Sequence, residues 1–302
     1  MKRWLSNFCL TLVLLVGLSL ILYPTVSDWW NSMHQTRVMT SYSEAVQSVD
    51  PAVYDEAWES ARAYNQTLPG NELRFLMTQE QRDVYNRELN PAGDGIMGII
   101  EIPTLGIELP IYHSTTEAVL QVAIGHIEGT SLPTGGEGTH CALSGHRGLP
   151  RARLFTDLDK LIEGDVFLLH ILNETLTYEV DRILIVGPRD LDALEIEEDK
   201  DYCTLVTCTP YGINTHRMLV RGSRIETVKE KAPVRISADA GRIDPVIVAP
   251  LMALPMLLIM LILVMFSDPK KNTGGEQNEE DSLDDLPADD DRAGSSGSGG
   301  TE

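Results

Sequence analysis

The chain has 302 residues, room for one or two domains, and carries a net charge of −21. Residues 267–302 hold 11 acidic and 3 basic side chains, Lys2 and Arg3 are basic, and the remaining excess of −15 falls on the middle of the chain. Such a surface argues against a nucleic-acid partner. The sequence also lacks a phosphate-cradling Gly-rich loop, a GxSxG elbow and any CxxC or HxxxH spacing, which excludes the common nucleotide, α/β-hydrolase and zinc sites.

Residues 4–23 are almost wholly apolar and follow Lys2 and Arg3. No small-x-small cleavage site comes after them, so they read as an uncleaved signal anchor over 1–27. Residues 28–94 read as helical. Ser41 and Glu44 fit a capping box, and Asp50-Pro51 fits the start of another helix. Val53, Ala57, Ala61, Tyr64 and Leu68 then form an apolar stripe at helical spacing, closed by Pro69-Gly70. The stretch "NELRFLMTQEQRDVYNREL" reads as a loop followed by a short helix.

From residue 95 to 228 the texture is different. "GIMGIIEIP", "GIELPIYH", "THCALSGH", "VFLLHIL", "LTYEVDRILIV", "YCTLVTCT" and "HRMLVRGSRI" are short β-branched runs broken by Gly, Pro, Asn and Asp. That pattern predicts a mainly β barrel or sandwich, with helical insertions near 116–122 and 154–161. Residues 229–244 read as a polar linker. Residues 245–266, "PVIVAPLMALPMLLIMLILVMF", are uncharged and long enough to cross a bilayer. Lys270 and Lys271 follow. Basic residues outside each span place both termini in the cytoplasm and the middle of the chain outside a plasma membrane, in a two-pass topology. The acidic, Gly/Ser-rich tail over 267–302 reads as disordered.

Cys208 ends a β-branched run, a turn containing Pro210, Gly212 and Asn214 follows, and His216 and Arg217 open the next run. A thiolate is a nucleophile when a base or a cation stands beside it, and a guanidinium can hold a developing oxyanion. His146, in "SGHRGLP", also ends a β run at a Gly-flanked turn. Cys208, His146 and Arg217 are therefore candidate catalytic residues. The alternative is a buried cysteine and a surface arginine in a non-catalytic β domain acting as a scaffold. Cys9 reads as a small apolar residue of the first span, His140 and His216 as supporting or packing residues, and His113, His126 and His170 as structural.

The segment Thr204-Leu205-Val206-Thr207-Cys208 resembles the TLxTC signature of sortases. "GIIEIPTLGIELPIYH", "GHIEGTSLPTGGEGTHCALSGHRGLPRARLFTDLDKLIEGDVF" and "TCTPYGINTHRMLVRGSRI" extend the resemblance to class C, pilin-polymerising sortases, over roughly residues 95–225. It implies an eight-stranded sortase barrel and cysteine transpeptidation at an LPxTG-like sorting signal, with no cofactor. Cys208 is then the nucleophile, His146 the general acid/base and Arg217 the oxyanion stabiliser. The implied partners are LPxTG-type pilins or surface proteins, and an amine from a pilin lysine. The alternative within the family is a housekeeping sortase that uses a cell-wall peptide amine. Class C members carry a lid with an Asp-Pro-aromatic anchor. Here the only Asp-Pro ahead of the barrel is Asp50-Pro51, followed by Ala52, and "LPGNELRFLMTQ" offers Phe75 without one. The lid is thus anchored differently or absent. In the sortase barrel the strands bearing His146 and Cys208 are parallel neighbours. Cys141 and Cys203, each five residues earlier, then lie side by side as a disulfide or as a reduced, buried pair.

Overall fold

The computed structural model describes residues 2–48, 51–149 and 152–227. The linker, second span and acidic tail expected beyond them lie outside the described residues. Among those residues one helix, near the N-terminus, is long and apolar enough to cross a membrane. It belongs to α1, Lys2–Ser48, which runs on from the apolar stretch as one 47-residue helix. The helix start expected at Ser41 is not there. Ser41 sits in the helix interior, where the turns before and after it continue the ladder.

α2, Pro51–Gln66, begins at the expected proline. Its buried face is Tyr54, Trp58, Ala61 and Asn65, with Leu68 just beyond, whereas Val53 is exposed. The stripe is turned from the one expected because two polar groups find partners only in this orientation. Trp58 Nε1 donates to Asn173 Oδ1 at 3.0 Å, and Asn65 exchanges hydrogen bonds with the Leu132 backbone at 2.7 and 3.0 Å. α3, Gln79–Tyr85, is the short helix expected after the loop, capped by Thr78 and Gln81 in a reciprocal box.

Eight strands follow. β1, Ile96–Ile102, and β2, Ile107–Tyr112, form a hairpin. A one-turn helix α4, Glu117–Leu120, precedes β3, Ile124–His126. Then come β4, Thr139–Ser144, β5, Val166–Ile171, β6, Glu174–Val186, β7, Asp201–Thr209, and β8, His216–Ile225. They close into a barrel in the order β1-β2-β3-β4-β7-β8-β6-β5. Seven of the strands coincide with the β-branched runs to within two residues. β3 does not stand out in sequence, because three residues give no readable alternation. The insertion expected near 154–161 is a set of turns with a single 3-10 turn at Leu158–Lys160.

The barrel interior is filled by large apolar side chains, including Ile111, Leu143, Phe167, Tyr178, Leu205 and Val220. Phe167 and Tyr178 stack at 5.5 Å, and Gly222 on β8 makes room for them, since a Cβ there would lie 2.7 Å from the Phe167 ring. Cys141 and Cys203 are directly paired across β4 and β7 inside this core. They are free thiols in hydrogen-bond contact, so of the two arrangements open to them the structure has the reduced, buried pair. Burial pushes the Cys203 thiol well above its ordinary range, which keeps it protonated and inert.

His140 is buried on β4, with Nδ1 against Glu195 O and Nε2 against Thr204 Oγ1, both at 2.7 Å. Burial lowers its pKa from 6.5 to about 4. The unfolded imidazole takes its proton near 6.5 and the folded one only near 4, so stability falls as pH drops through that window. One pKa unit is about 1.4 kcal/mol, so the full difference is roughly 3 kcal/mol. Urea unfolding at pH 6.5 and pH 4 is expected to show this loss, and His140→Gln to remove it. An unchanged pH dependence in the variant would refute the assignment.

Candidate active site

β4 and β7 pair in parallel with a constant offset of 62 residues, from Thr139 with Asp201 to Ser144 with Val206. The chain keeps this offset after β4 ends. Gly145 N donates to Val206 O at 3.0 Å, Thr207 Oγ1 donates to Gly145 O at 2.8 Å, and Arg147 Nη1 donates to Thr209 Oγ1 at 3.4 Å. His146 is thereby set beside Cys208. On the other flank β7 and β8 pair antiparallel, and Cys208 is directly opposite Arg217. Directly opposed residues share a face, with Cβ atoms about 5 Å apart. All three candidate residues thus stand at one end of three adjacent strands, each partly exposed.

Side-chain alternation puts them outside the barrel. Cys203 and Leu205 point into the core, so Cys208, with Thr204 and Val206, points outward. On the same outer face a groove of about 440 Å³ is lined by His140, Thr204, Val186, Leu219 and Arg221, with Glu195 from the β6–β7 connection along its edge. It spans the outer face of β4, β7, β8 and β6, and Val186 in its lining pairs with Arg217.

Local structure holds each group. Gly145 lets the segment carrying His146 lie flat on the core: a Cβ there would come within 2.6 Å of Ile124 Cδ1 and 2.7 Å of Phe155 Cδ2. Phe155 N closes the loop by donating to His146 O at 3.1 Å. Nε2 of His146 is buried and lacks a hydrogen-bond partner among the described residues, and Glu117 Oε2, at the start of α4, is 3.8 Å away. Arg217 Nη1 donates to Asn214 O at 3.3 Å and His216 O at 3.1 Å, which ties the guanidinium to the β7–β8 turn. Asn214 and Gly212 take left-handed backbone there, with φ of 59° and 75°. Tyr211 lays its ring over Gly148, and Arg147 pairs with Asp159.

The other histidines do not join the site. His216 is exposed and meets Thr215. His113 and His126 contact backbone carbonyls in the interior, and His170 meets Glu101. Sequence reasoning missed Glu117, which only the fold brings beside His146, and gave no role to Gly145 and Thr207, although they adjoin His146 and Cys208 in the chain.

The lid-like segment is elsewhere. Phe75 and Arg74 pack on Gly129, where a Cβ would come within 2.8 Å of Phe75, and Arg74 Nη2 donates to Leu194 O at 3.0 Å. Gly129 and Leu194 belong to connections near the starts of β4 and β7, the end opposite Cys208. Phe75→Ala is therefore expected to leave the alkylation rate of Cys208 unchanged, and a several-fold rise would place Phe75 over the thiol. Gly145→Ala is expected to cost about 1–3 kcal/mol by overpacking, read from urea unfolding. A neutral effect would show that the Phe155 contact yields freely.

The chain matches the family described as Sortase domain over residues 100–225. It is similar to the crystal structure of sortase C1 from Streptococcus agalactiae, with 50% identity, a TM-score of 0.60, and coverage of 63% of this chain and 98% of that one. It is similar to the Streptococcus pneumoniae sortase C, a structure described for catalysis and pilin substrate specificity. There the identity is 42% and the TM-score 0.56, over 63% of this chain and 97% of that one. Among curated relatives, Sortase D of Bacillus subtilis is 30% identical over 131 residues, 42% of this chain. The chain spans 63% of that relative's length.

Proposed function

The chain belongs to the sortase family, with class C sortases among its structural neighbours, and from that premise we propose that it is a membrane-anchored cysteine transpeptidase that joins pilin subunits. The observation that carries the reading is the register that sets Cys208 between His146 and Arg217 at one end of β4, β7 and β8.

In this reading an LPxTG-like sorting signal lies in the outer groove with its Thr–Gly carbonyl over Cys208. The Cys208 sulfur attacks that carbon, and the oxyanion that forms is held by the Arg217 guanidinium. His146 passes a proton to the departing glycine amine, and the Thr carbonyl remains as a thioester on Cys208. A pilin lysine amine then attacks the thioester, His146 takes its proton, and an isopeptide bond forms as the Cys208 thiolate leaves, which restores the thiolate and protonated imidazole that began the cycle. The covalent step divides one hard acyl transfer into two easier ones. Glu117 Oε2 stands 3.8 Å from His146 Nε2, on the side of the ring that carries the transferred proton.

The apolar part of α1 anchors the chain in a plasma membrane, with the barrel outside. A second span at residues 245–266 and a cytoplasmic acidic tail complete the two-pass arrangement that the basic flanks favour.

Mixing the purified enzyme with LPxTG-bearing pilin is expected to give covalent ladders on denaturing gels. Cys208→Ala should abolish them while leaving the circular dichroism spectrum intact. Arg217→Lys should slow them by about 10²–10³-fold, because lysine keeps the charge and loses the planar fork. Ladders of undiminished length from Cys208→Ala would sink the nucleophile assignment. Transfer to a cell-wall peptide amine in place of ladders would indicate the housekeeping reaction instead.

A further inference from the structure

α1 fixes the direction in which the barrel faces. Beyond the apolar stretch, which ends at Tyr23, the helix meets the barrel through Gln35, whose Nε2 donates to Val122 O at 2.6 Å. Val122 stands just ahead of β3, and β3 pairs with Ser144 at the His146 end of β4. Seven residues later, about 10 Å farther along the helix, Tyr42 donates to Met97 O at 3.1 Å and accepts from Leu172 N at 2.9 Å. Leu172 is in the β5–β6 hairpin, at the start of β6, whereas Val186 at the other end of that strand pairs with Arg217. Moving outward from the apolar stretch, α1 therefore passes the Cys208 end of the barrel before the hairpin end.

The distances are short. Gln35 is twelve residues beyond Tyr23, about 18 Å at the helical rise, and Trp29 and Trp30 lie between, exposed, where interfacial aromatics belong. The loops at the Cys208 end carry exposed apolar side chains. Tyr211 is 61% and Ile213 68% exposed on the β7–β8 turn, and Val122 and Ile185 are exposed near the same rim.

We propose that the Cys208 end of the barrel faces the membrane, with the β7–β8 turn at Tyr211 and Ile213 seated in the headgroup layer of the outer leaflet. This rests on the membrane-anchored reading above. The occupant of the apolar rim is a lipid surface because α1 runs on from that rim, through Pro24, into an apolar segment of bilayer-crossing length as one helix. The active site then works close to the bilayer, and the hairpin end points away from it.

The test uses the full chain in phosphatidylcholine vesicles, with Cys9→Ser and Cys208→Ala removing the other reachable thiols. A bimane dye is attached through Ile213→Cys or, at the hairpin end, through Glu174→Cys, both exposed positions. Nitroxide-headgroup phosphatidylcholine is the quencher. Quenching is expected to be several-fold stronger at 213 than at 174. Equal quenching, stronger quenching at 174, or none at either site would overturn the orientation. Co-flotation of the chain with the vesicles is scored in parallel. Failure to float removes the anchoring and this inference with it, whereas flotation without quenching at 213 overturns the orientation alone. The ladder assay is independent of both.

Discussion

The parallel pairing of β4 with β7 is the constraint on which the rest of the site depends. Two parallel strands cannot be joined by a tight turn, so the chain between them must leave and return, and here it supplies β5 and β6 on the way. That pairing holds a constant offset through six residue pairs and beyond. It carries a histidine and a cysteine 62 residues apart to the same level, and the β7–β8 hairpin brings an arginine to that level from the other side. A slip of one residue on either side of β7 would turn Cys208 into the core and break both relationships.

The same alternation sorts the cysteines. Cys203 and Cys208 are on one strand and differ by an odd number of positions, so they face opposite ways. Cys141 and Cys203 share the dry interior with Leu143, Leu205 and Tyr178, where a thiol packs as a small apolar group. Cys208 shares the outer face with the groove. β7 thus packs one thiol, Cys203, into the core and presents another, Cys208, on the outer face, through the pleat alone.

α1 links the barrel to the apolar segment as one helix, with Pro24 inside it. Val38, Met39 and Val46 pack on the cluster of Tyr42, Ile96 and Ile99, and Tyr42 bonds to two backbone groups of the barrel. A helix fastened at several points along its length fixes orientation, where a loop would leave the barrel free to turn. α2 adds a second clamp through Trp58 and Asn65. The lid-like segment is drawn to the far end by Arg74 and the close approach of Phe75 to Gly129, which leaves the Cys208 end uncovered by it.

Periodicity in the sequence was enough to mark seven of the strands, the proline-started helix and the bilayer-length apolar stretch, because each is a local pattern of side chains. The strand-end positions of Cys208, His146 and Arg217 were legible for the same reason, and the TLVTC motif tied them to a family. What the sequence left open required contacts between distant segments. β3 is three residues long and exists only through its neighbours. The buried face of α2 was turned by the partners of Trp58 and Asn65, and α1 continued through Ser41 because a local cap signal has no force inside a helix that packs on a barrel. Whether Cys141 and Cys203 would be bridged, where Phe75 would rest, and that Glu117 would stand beside His146 were decided by strand register and packing. Those are properties of pairs of residues far apart in the chain, and no single stretch of sequence contains them.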